Sequence, residues 1–471
     1  MPSSGPGYPT PLDAMYKGPR EEILYVVCIQ PNADSKKGDF LATVDINPKS
    51  STYQQIIHRL HMGKNNDEIH HSGWNTCSSC YGCKGMVRDK LILPCMESDR
   101  IVVVDTGKNP KAPAIHKILE ASEMHAFNCA TPHTIHCLSN GDIMINVLGD
   151  TDGQGKCDFL LLDGKTFKPK GTWTNGRLAK FGYDFWYQPF FDVMISSGWG
   201  APKNFKTGFV PAQIIDPNAY GTALNFYCWS KRELIQTIDL GPDGCAPLEV
   251  RFVHNPKECT GFVACAVMSN VYRFYQKEDG TFAADKVIDV KGYKVTGGGW
   301  PMEYLQGFVS DLVISLDDKY LYLNNWLQGD VRQYDITDRA NPKLTGQVYL
   351  GGQLTSDSPI KVVEEEFTPP EPVIIKGKRL KGGPQMMQLS LDGKRLYASN
   401  DLYSVWDRQF YPEAVQEGGW IVKLDIDHKN GGMKLDKNFL IDFGKTPDGP
   451  VLAHEMRFPG GDCTSDIWMA K

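Results

Sequence analysis

One pattern recurs seven times along this chain and limits the folds available to it. A short apolar strand ends near a polar residue, often aspartate, a polar turn follows, and a second apolar strand comes next. The copies lie roughly 50 to 65 residues apart with one wider gap, and such a period predicts the blades of a β-propeller. The seven copies are Phe40–Asp45 with Ile56–Leu60, Arg100–Asp105 with Ile115–Ile118, Phe159–Asp163 with Lys170–Trp173, Leu224–Tyr227 with Ile235–Ile238, Val271–Phe274 with Lys286–Ile288, Val331–Asp335 with Leu344–Leu350, and Trp420–Asp425 with Phe439–Asp442.

An earlier strand pair precedes each copy. It is clearest in Ser310–Leu323 and Met387–Ala398, where the turns Asp317-Asp318 and Asp392-Gly393 are strong hairpin signals. Looser copies occur in His71–Asn75, His133–Cys137, Tyr183–Pro189, Leu248–Pro256 and His454–Gly461. Four strands per repeat predict an all-β fold, a seven-bladed β-propeller, and few windows carry the apolar spacing of a helix.

The two ends of the chain are predicted to share one blade. His454–Pro459 and Asp466–Met469 resemble the first two strands of a repeat, which Phe40–Asp45 and Ile56–Leu60 would complete. A ring closed in this way has no exposed sheet edge. The alternative is several unrelated β domains. We therefore expect a flexible N-terminal tail at 1–20 and one domain at 21–471, with a Pro- and Glu-rich surface insertion inside one blade at about 353–383.

Composition and charge exclude several classes of function. The 50 basic and 56 acidic side chains give a net charge of −6, which argues against a nucleic-acid partner. No apolar run approaches the length of a membrane span, so we expect no integral membrane segment. The first residues lack the apolar core of a signal peptide, so we expect a cytoplasmic or also nuclear protein whose 13 cysteines are reduced.

Histidines are concentrated in the predicted innermost strands. Aligning those strands by their turns places His70 or His71, His133, Asp184, Glu249, Asp311, Met386 and His454 near the start of each, facing the central channel. Five of the eleven histidines fall in these strands, His136 included. Imidazoles and carboxylates that converge from separate blades favour a transition metal. The alternative is that the histidines bridge blades structurally. Because neighbouring residues of a strand face opposite ways, only one of His70 and His71 is expected to enter the channel.

Cys77, Cys80 and Cys83 form a second cluster of chemistry-bearing residues. A C-x2-C pair can hold zinc or exchange thiols, but the rest of the chain offers no second pair to complete a zinc site. The sequence leaves two interpretations open: a loop with free thiols, or a site with a redox or ligand-thiol role that could also bind Cu(I).

Several long and unusual strings carry a family resemblance. They are Gly5–Tyr8, Lys17–Glu22, His70–Cys80, Gly182–Pro189, Gly383–Met386, Ser390–Tyr397 and Ala453–Cys463. Through them the whole chain resembles the selenium-binding protein family, whose animal members are also methanethiol oxidases. The resemblance implies a seven-bladed propeller. It also implies copper-dependent oxidation of methanethiol by O2 and water to formaldehyde, hydrogen sulfide and hydrogen peroxide.

The working hypothesis is an oxidase built on the residues singled out above. Copper would be held by His70 or His71, His133 and His454, with His136 as an optional further ligand, and Glu249 or Asp311 would take a proton from the thiol substrate. Human members have been linked to selenium at a cysteine where this chain has Gln54, so a selenium role would move to Cys77, Cys80 or Cys83. Two alternatives to an oxidase are a selenium or thiol carrier and a scaffold that presents its propeller face to protein partners. Substrate range, oligomeric state and the order of chemical steps are left open.

Overall fold

A computed structural model describes residues 6–32, 35 and 37–469. Strands dominate it. Their bounds are β1 (Ile23–Ile29), β2 (Phe40–Asp45), β3 (Gln55–His61), β4 (Gly73–Trp74), β5 (Lys90–Pro94), β6 (Ile101–Asp105), β7 (Ala114–Leu119), β8 (Ala130–Cys137), β9 (Ile143–Gly149), β10 (Gly155–Leu162), β11 (Pro169–Thr172), β12 (Phe185–Gln188), β13 (Val193–Gly200), β14 (Tyr220–Cys228), β15 (Glu233–Asp239), β16 (Pro247–Phe252), β17 (Thr260–Cys265), β18 (Asn270–Gln276), β19 (Phe282–Asp289), β20 (Tyr293–Gly297), β21 (Tyr304–Leu305), β22 (Val309–Ile314), β23 (Tyr320–Asn325), β24 (Asp330–Asp335), β25 (Lys343–Tyr349), β26 (Ile360–Val362), β27 (Ile374–Ile375), β28 (Lys378–Arg379), β29 (Met387–Leu389), β30 (Arg395–Ala398), β31 (Trp420–Ile426), β32 (Met433–Asp442) and β33 (Leu452–Arg457).

The described helices are few and short. They are α1 (Pro11–Lys17), α2 (Ala121–His125), α3 (Pro202–Phe205), α4 (Ser404–Phe410) and α5 (Pro412–Glu417), with 3-10 turns at Ser78–Cys80, Pro189–Phe191, Pro211–Gln213, Pro242–Gly244 and Phe443–Lys445. None of these helices has the length and apolar character that crossing a bilayer requires.

Seven sheets of four antiparallel strands make up most of the described chain. Six are meanders of consecutive strands: β4–β7, β8–β11, β12–β15, β16–β19, β22–β25 and β29–β32. The seven strand pairs predicted from the recurring pattern are the third and fourth strands of these sheets, the first pair being β2 with β3. That prediction is confirmed, because apolar runs of strand length punctuated by polar turns have few other ways to bury themselves.

The sheet that joins the two ends of the chain has the order β3-β2-β1-β33. The prediction that Asp466–Met469 supplies its second strand is wrong, since β1 takes that place and pairs with β33 on one edge and β2 on the other. Every residue of β1 is buried, because a central position in the sheet removes the apolar side chains on both of its faces from water. Asp466 instead accepts hydrogen bonds from the backbone and hydroxyl of Ser78.

Neighbouring sheets touch through their first strands. β4 contacts β8, β12 contacts β16, β16 contacts β22, β22 contacts β29 and β29 contacts β33. Two remaining junctions are made by hydrogen bonds: Arg457 donates to the carbonyl of Ser72, and His133 bonds the carbonyl of Tyr183. The first strands, together with the residues just before β4 and β12, therefore contact one another in a closed circuit, and apolar side chains fill the spaces between adjacent sheets.

Two segments predicted to lie apart from the sheets are built into the fold. The expected flexible tail contains α1 in its described part, and Tyr8 accepts a hydrogen bond from Trp468 and donates one to Gly460. The Pro- and Glu-rich segment 353–383 lies between β25 and β29, so it connects two sheets rather than interrupting one. Its strand β26 pairs with β20, which belongs to another connection.

Candidate metal centre

Four histidine rings from three parts of the chain meet in the interior. His70 stacks on His454 with ring centroids 3.9 Å apart, and His71 lies 4.0 Å from His133 between centroids. One nitrogen from each of His70, His71 and His133 lies within 4.8 Å of the others. All four side chains are at most 3% exposed. The sequence alignment placed these residues together, and the structure does bring them together.

The backbone explains how each ring reaches this point. His133 and His454 lie on β8 and β33, the first strands of their sheets. His70 and His71 precede β4 in irregular backbone that follows Glu68, whose φ is 50°. The expectation that only one of His70 and His71 would enter the channel is wrong, because this segment is not a strand and the alternation of strand side chains does not apply to it.

Hydrogen bonds orient three of the four rings in the same sense. Nδ1 of His133 lies 2.8 Å from the carbonyl oxygen of Tyr183, and Nδ1 of His454 lies 2.7 Å from that of Asp401. A carbonyl only accepts, so both Nδ1 atoms carry the proton and both Nε2 atoms present a lone pair. Nδ1 of His71 faces Glu455 at 3.1 Å. Histidines that bind metals commonly have this arrangement: one ring nitrogen donates a hydrogen bond to an oxygen, and the other nitrogen is left to bind the metal.

The free nitrogens are buried and have no hydrogen-bond partner. They are Nε2 of His71, His133 and His454, together with Nδ1 of His70. Orphaned buried polar atoms are uncommon in native proteins and require an explanation. Neutral imidazole nitrogens as close together as those of His70, His71 and His133 fit a transition metal such as copper, iron or zinc. The residues present therefore fit the metal that the family resemblance implies.

Burial keeps these imidazoles neutral, which is the form that binds metal. It lowers the pKa of His454 to about 4, against the opposing effects of the Asp401 carbonyl and the Glu455 carboxyl. Burial also lowers the pKa values of His70, His71 and His133 well below the usual range, and neighbouring histidines lower them further.

Carboxylates line one side of the cluster. Oε1 of Glu249 lies 3.5 Å from Nε2 of His71 and has no hydrogen-bond partner, while its other oxygen pairs with Arg251. Burial raises the pKa of Glu249, the nearby Asp184 raises it further and Arg251 opposes the rise. Asp311, the other predicted base, accepts a hydrogen bond from the Met387 backbone and keeps one oxygen free. Burial raises its pKa to about 7.

Sequence reasoning missed Glu455 and Asp401. Glu455 faces His71, pairs with Arg457 and accepts a hydrogen bond from Ser72. Its position beside His454 was the available signal. Asp401 holds His454 through its backbone carbonyl, and its carboxyl lies 3.6 Å from the same ring. A contact through a backbone carbonyl does not depend on residue type, so the sequence could not indicate it.

His136 lies apart from the four rings. Its ring packs edge-on against Phe185 and Trp186, with centroids 5.0 and 4.9 Å away, and no ring contact of the described residues joins it to another histidine. Both of its nitrogens are buried without a partner. Burial, together with the guanidinium groups of Arg251 and Arg457, lowers its pKa to about 3. His136 is thus not part of the cluster, although it was predicted to be a ligand.

The opposite side of the cluster is apolar. A cavity of about 10 Å³, close to the space one water needs, adjoins His70. Its other lining residues are Met96, Tyr183, Trp199, Leu248, Phe308, Leu402, Tyr403 and Trp406. The aromatic part of this lining comes from β13, α4 and the loops.

The predicted cysteine cluster is only partly assembled. Cys77 and Cys80 are buried and Cys83 is partly exposed. The third sulfur beside the buried pair belongs to Cys137 on β8, since the hydroxyl of Ser79 contacts the sulfurs of Cys77, Cys80 and Cys137. Gln54 accepts hydrogen bonds from Lys376 and Leu440 and donates one to the carbonyl of Asn438, so the place of the expected selenium ligand is taken by structural contacts.

Comparison with known proteins gives consistent results over the whole chain. The model of the 56-kDa selenium-binding protein family matches residues 2–469. The chain is 57% identical to a methanethiol oxidase of Xenopus laevis, with 99% of each covered. It is 53% identical to the human methanethiol oxidase over 99% of this chain and 98% of that protein.

A solved structure supports the same assignment. The X-ray structure of a hypothetical selenium-binding protein from Sulfolobus tokodaii has a TM-score of 0.87 and 36% identity, and covers 98% of this chain and 99% of that one. The chain therefore belongs to the 56-kDa selenium-binding protein family.

Proposed function

We propose that this protein is a methanethiol oxidase, which converts methanethiol, O2 and water to formaldehyde, hydrogen sulfide and hydrogen peroxide. The observation that carries the proposal is the cluster of His70, His71, His133 and His454 with four unpartnered nitrogens, in a chain that is 57% identical to a frog protein of that name. The equation balances in atoms, and two electrons pass from the carbon of methanethiol to O2.

We infer that copper is the metal. Transfer of electrons to O2 calls for a metal with two accessible oxidation states, which zinc lacks. These imidazoles would hold the copper ion, and copper would supply the redox chemistry that connects oxidation of the thiol to reduction of O2. His71, His133 and His454 supply neutral ligands, and the oxygens on their Nδ1 atoms fix the direction in which each Nε2 points.

We also propose that the seven sheets are the blades of a propeller. The closed circuit of first-strand contacts and the sheet shared by both ends of the chain support this arrangement. It explains why residues distant in sequence, such as His71 and His454, meet at one point, because every first strand borders the axis.

The two sides of the cluster suit the two kinds of reactant. The aromatic cavity beside His70 would hold the methyl group of the thiol and exclude bulk water. The charged side, with Glu249, Glu455, Arg251 and Arg457, would hold the water that the reaction consumes. Buried charged groups of this kind are commonly bridged by ordered water.

Glu249 is the best-placed proton acceptor. Its free oxygen faces the cluster at 3.5 Å from His71, while Arg251 holds the other oxygen and fixes the carboxyl group. Asp184 anchors Arg251 from the far side at 3.0 Å. A proton leaving the methyl or thiol group would move to Oε1 of Glu249, and the fixed geometry lowers the reorganisation that this transfer requires.

Removal of the metal tests the proposal directly. Dialysis against a strong chelator is expected to reduce methanethiol consumption and peroxide formation to background, and one equivalent of copper is expected to restore both. Metal content is measured on the same samples, and zinc, which binds similar ligands without redox change, is the control. Full activity in metal-free protein would rule out the mechanism.

Enlarging the aromatic cavity is expected to change the substrate range. Met96→Ala removes a side chain that lines the cavity and is fully buried. We expect the ratio of kcat/KM for propanethiol to that for methanethiol to rise about tenfold or more, the usual effect of space for one or two methylenes. Steady-state rates measure the ratio, and Met124→Ala, a buried methionine in another core cluster, is the matched control. An unchanged ratio would mean that the thiol binds elsewhere.

Selenium binding, a protein partner at the segment 353–383, and a cytoplasmic or nuclear location stay predictions.

A further inference from the structure

We propose that Cys80 and Cys137 form a peroxide-reactive thiol pair, in which Cys80 attacks the peroxide and Cys137 completes a disulfide. The pair joins two segments that are distant in sequence, the loop after β4 and the end of β8. It differs from the Cys77-x2-Cys80 pair that the sequence displays.

The geometry brings the two sulfurs to one hydroxyl group. Oγ of Ser79 lies 3.8 Å from the sulfur of Cys80 and 3.7 Å from that of Cys137. The sulfur of Cys77 is 3.3 Å from the same oxygen. Cys80 and Cys137 are 0% and 2% exposed, and Cys80 is followed directly by residues 81–87, which are partly or fully exposed. A molecule as small as hydrogen peroxide needs only a local opening of this loop to reach them.

The surroundings of Cys80 favour its thiolate. A hydrogen bond from the Cys137 thiol, helped by the Ser79 hydroxyl and the Arg88 guanidinium, lowers the pKa of Cys80 to about 7 against the effect of burial. Cys137 itself has a raised pKa because it is buried and close to Cys77 and Cys80. Cys80 is therefore the nucleophile and Cys137 the protonated partner, as in other sensor pairs with a resolving cysteine.

The chemistry proceeds in two balanced steps. The Cys80 thiolate attacks hydrogen peroxide, the O–O bond breaks, and Cys80 sulfenic acid and hydroxide form. The Cys137 thiol then attacks the sulfenic sulfur, a disulfide forms and water leaves. Two electrons pass from the sulfurs to one peroxide molecule, and a dithiol reductant reverses the change.

This pair is connected to the metal centre through the chain. Cys80 follows His71 by nine residues and Cys137 follows His133 by four. A disulfide would therefore fasten the two segments that carry those histidines. Hydrogen peroxide is a product of the proposed reaction, so this role would rest on the proposed function, but the thiol chemistry itself is tested with added peroxide and without methanethiol.

The experiment treats the full-length protein with hydrogen peroxide, blocks the remaining thiols and maps the peptides by mass spectrometry. We expect two of the 13 thiols to be lost first, together with a peptide that links Cys80 to Cys137. The lowered pKa of Cys80 raises its thiolate fraction at neutral pH, so we expect this cysteine to react roughly tenfold faster than an unperturbed one.

Serine variants separate the two roles. In Cys137→Ser the sulfenic acid of Cys80 should persist and be trapped by dimedone, and in Cys80→Ser the fast phase should disappear. Cys83→Ser, which changes the partly exposed cysteine of the same loop, should behave as wild type. Melting curves identify any variant that fails to fold, and peptide mapping of the wild type decides the question without variants. A fast disulfide between Cys77 and Cys80, or a wild-type Cys80 that stays reduced while other cysteines oxidise, would overturn the proposal.

Discussion

Replacing His133 with alanine is expected to release the bound metal and to lower the methanethiol oxidase rate by more than about 100-fold. Mutating only the hydrogen-bond partners of metal ligands already lowers metal affinity or activity by about 10- to 100-fold, and loss of a ligand is expected to have a larger effect. His133 is fully buried and contacts His71, His70 and Tyr183 through its ring. The Tyr183 carbonyl fixes its proton on Nδ1, so Nε2 is buried without a hydrogen-bond partner and is available to the proposed metal. Alanine supplies no donor atom at that point.

Metal analysis and steady-state rates on the same preparation measure this effect. His116→Ala is the control, because His116 is an exposed histidine on the outer strand β7. Circular dichroism checks that the variant keeps its strands. A His133→Ala protein that retains both a full equivalent of copper and wild-type turnover would remove His133 from the centre, and the proposed ligand set would have to be abandoned.

Glu249→Gln is expected to lower kcat by about 100-fold or more, the usual contribution of a general base, and to leave the copper content unchanged. Glutamine has nearly the shape of glutamate and keeps a hydrogen-bond acceptor for Arg251, but it cannot accept the substrate proton. The ring of His71 keeps its separate contact with Glu455. Arg251 keeps its ion pair with Asp184.

The separation of turnover from metal content distinguishes this role from a structural one. Glu258→Gln is the matched control. Glu258 also forms an ion pair with an arginine, Arg339, but its side chain is partly exposed to solvent. We expect that variant to behave as wild type. If Glu249→Gln turns over at the wild-type rate, Glu249 is not the base. A loss of rate that follows a loss of copper would instead make Glu249 a group that positions His71.

The strands were largely predictable from the chain itself. Apolar runs of strand length between polar turns predicted the outer two strands of all seven four-stranded sheets. The prediction failed at the closing sheet, where β1 is fully buried and was not recognised as a strand of the repeat. A continuous apolar run can be a central strand or another buried segment, and periodicity does not separate the two.

The histidines of the site were predictable only as a group. Their concentration in short strands predicted His70, His71, His133 and His454, but it also predicted His136, which packs against Phe185 and Trp186 instead. Residue type indicates which side chains can bind a metal. It does not indicate that the backbone before β4 is irregular and directs both His70 and His71 toward the other histidines.

The sequence by itself determined the all-β class, the repeated strand pairs and the set of imidazoles from which a metal centre is chosen, because these depend on local apolar patterning and on residue chemistry. Only the tertiary structure decided which nitrogens stay free, that Glu455 and the Asp401 carbonyl hold His71 and His454, and that Cys137 rather than Cys83 meets Cys80. Contacts such as that of Ser72 with Glu455 join residues 383 positions apart. The packing of the sheets determines which residues make such contacts. Every residue type has the same backbone carbonyl, so the sequence does not indicate which carbonyl accepts a hydrogen bond from a histidine.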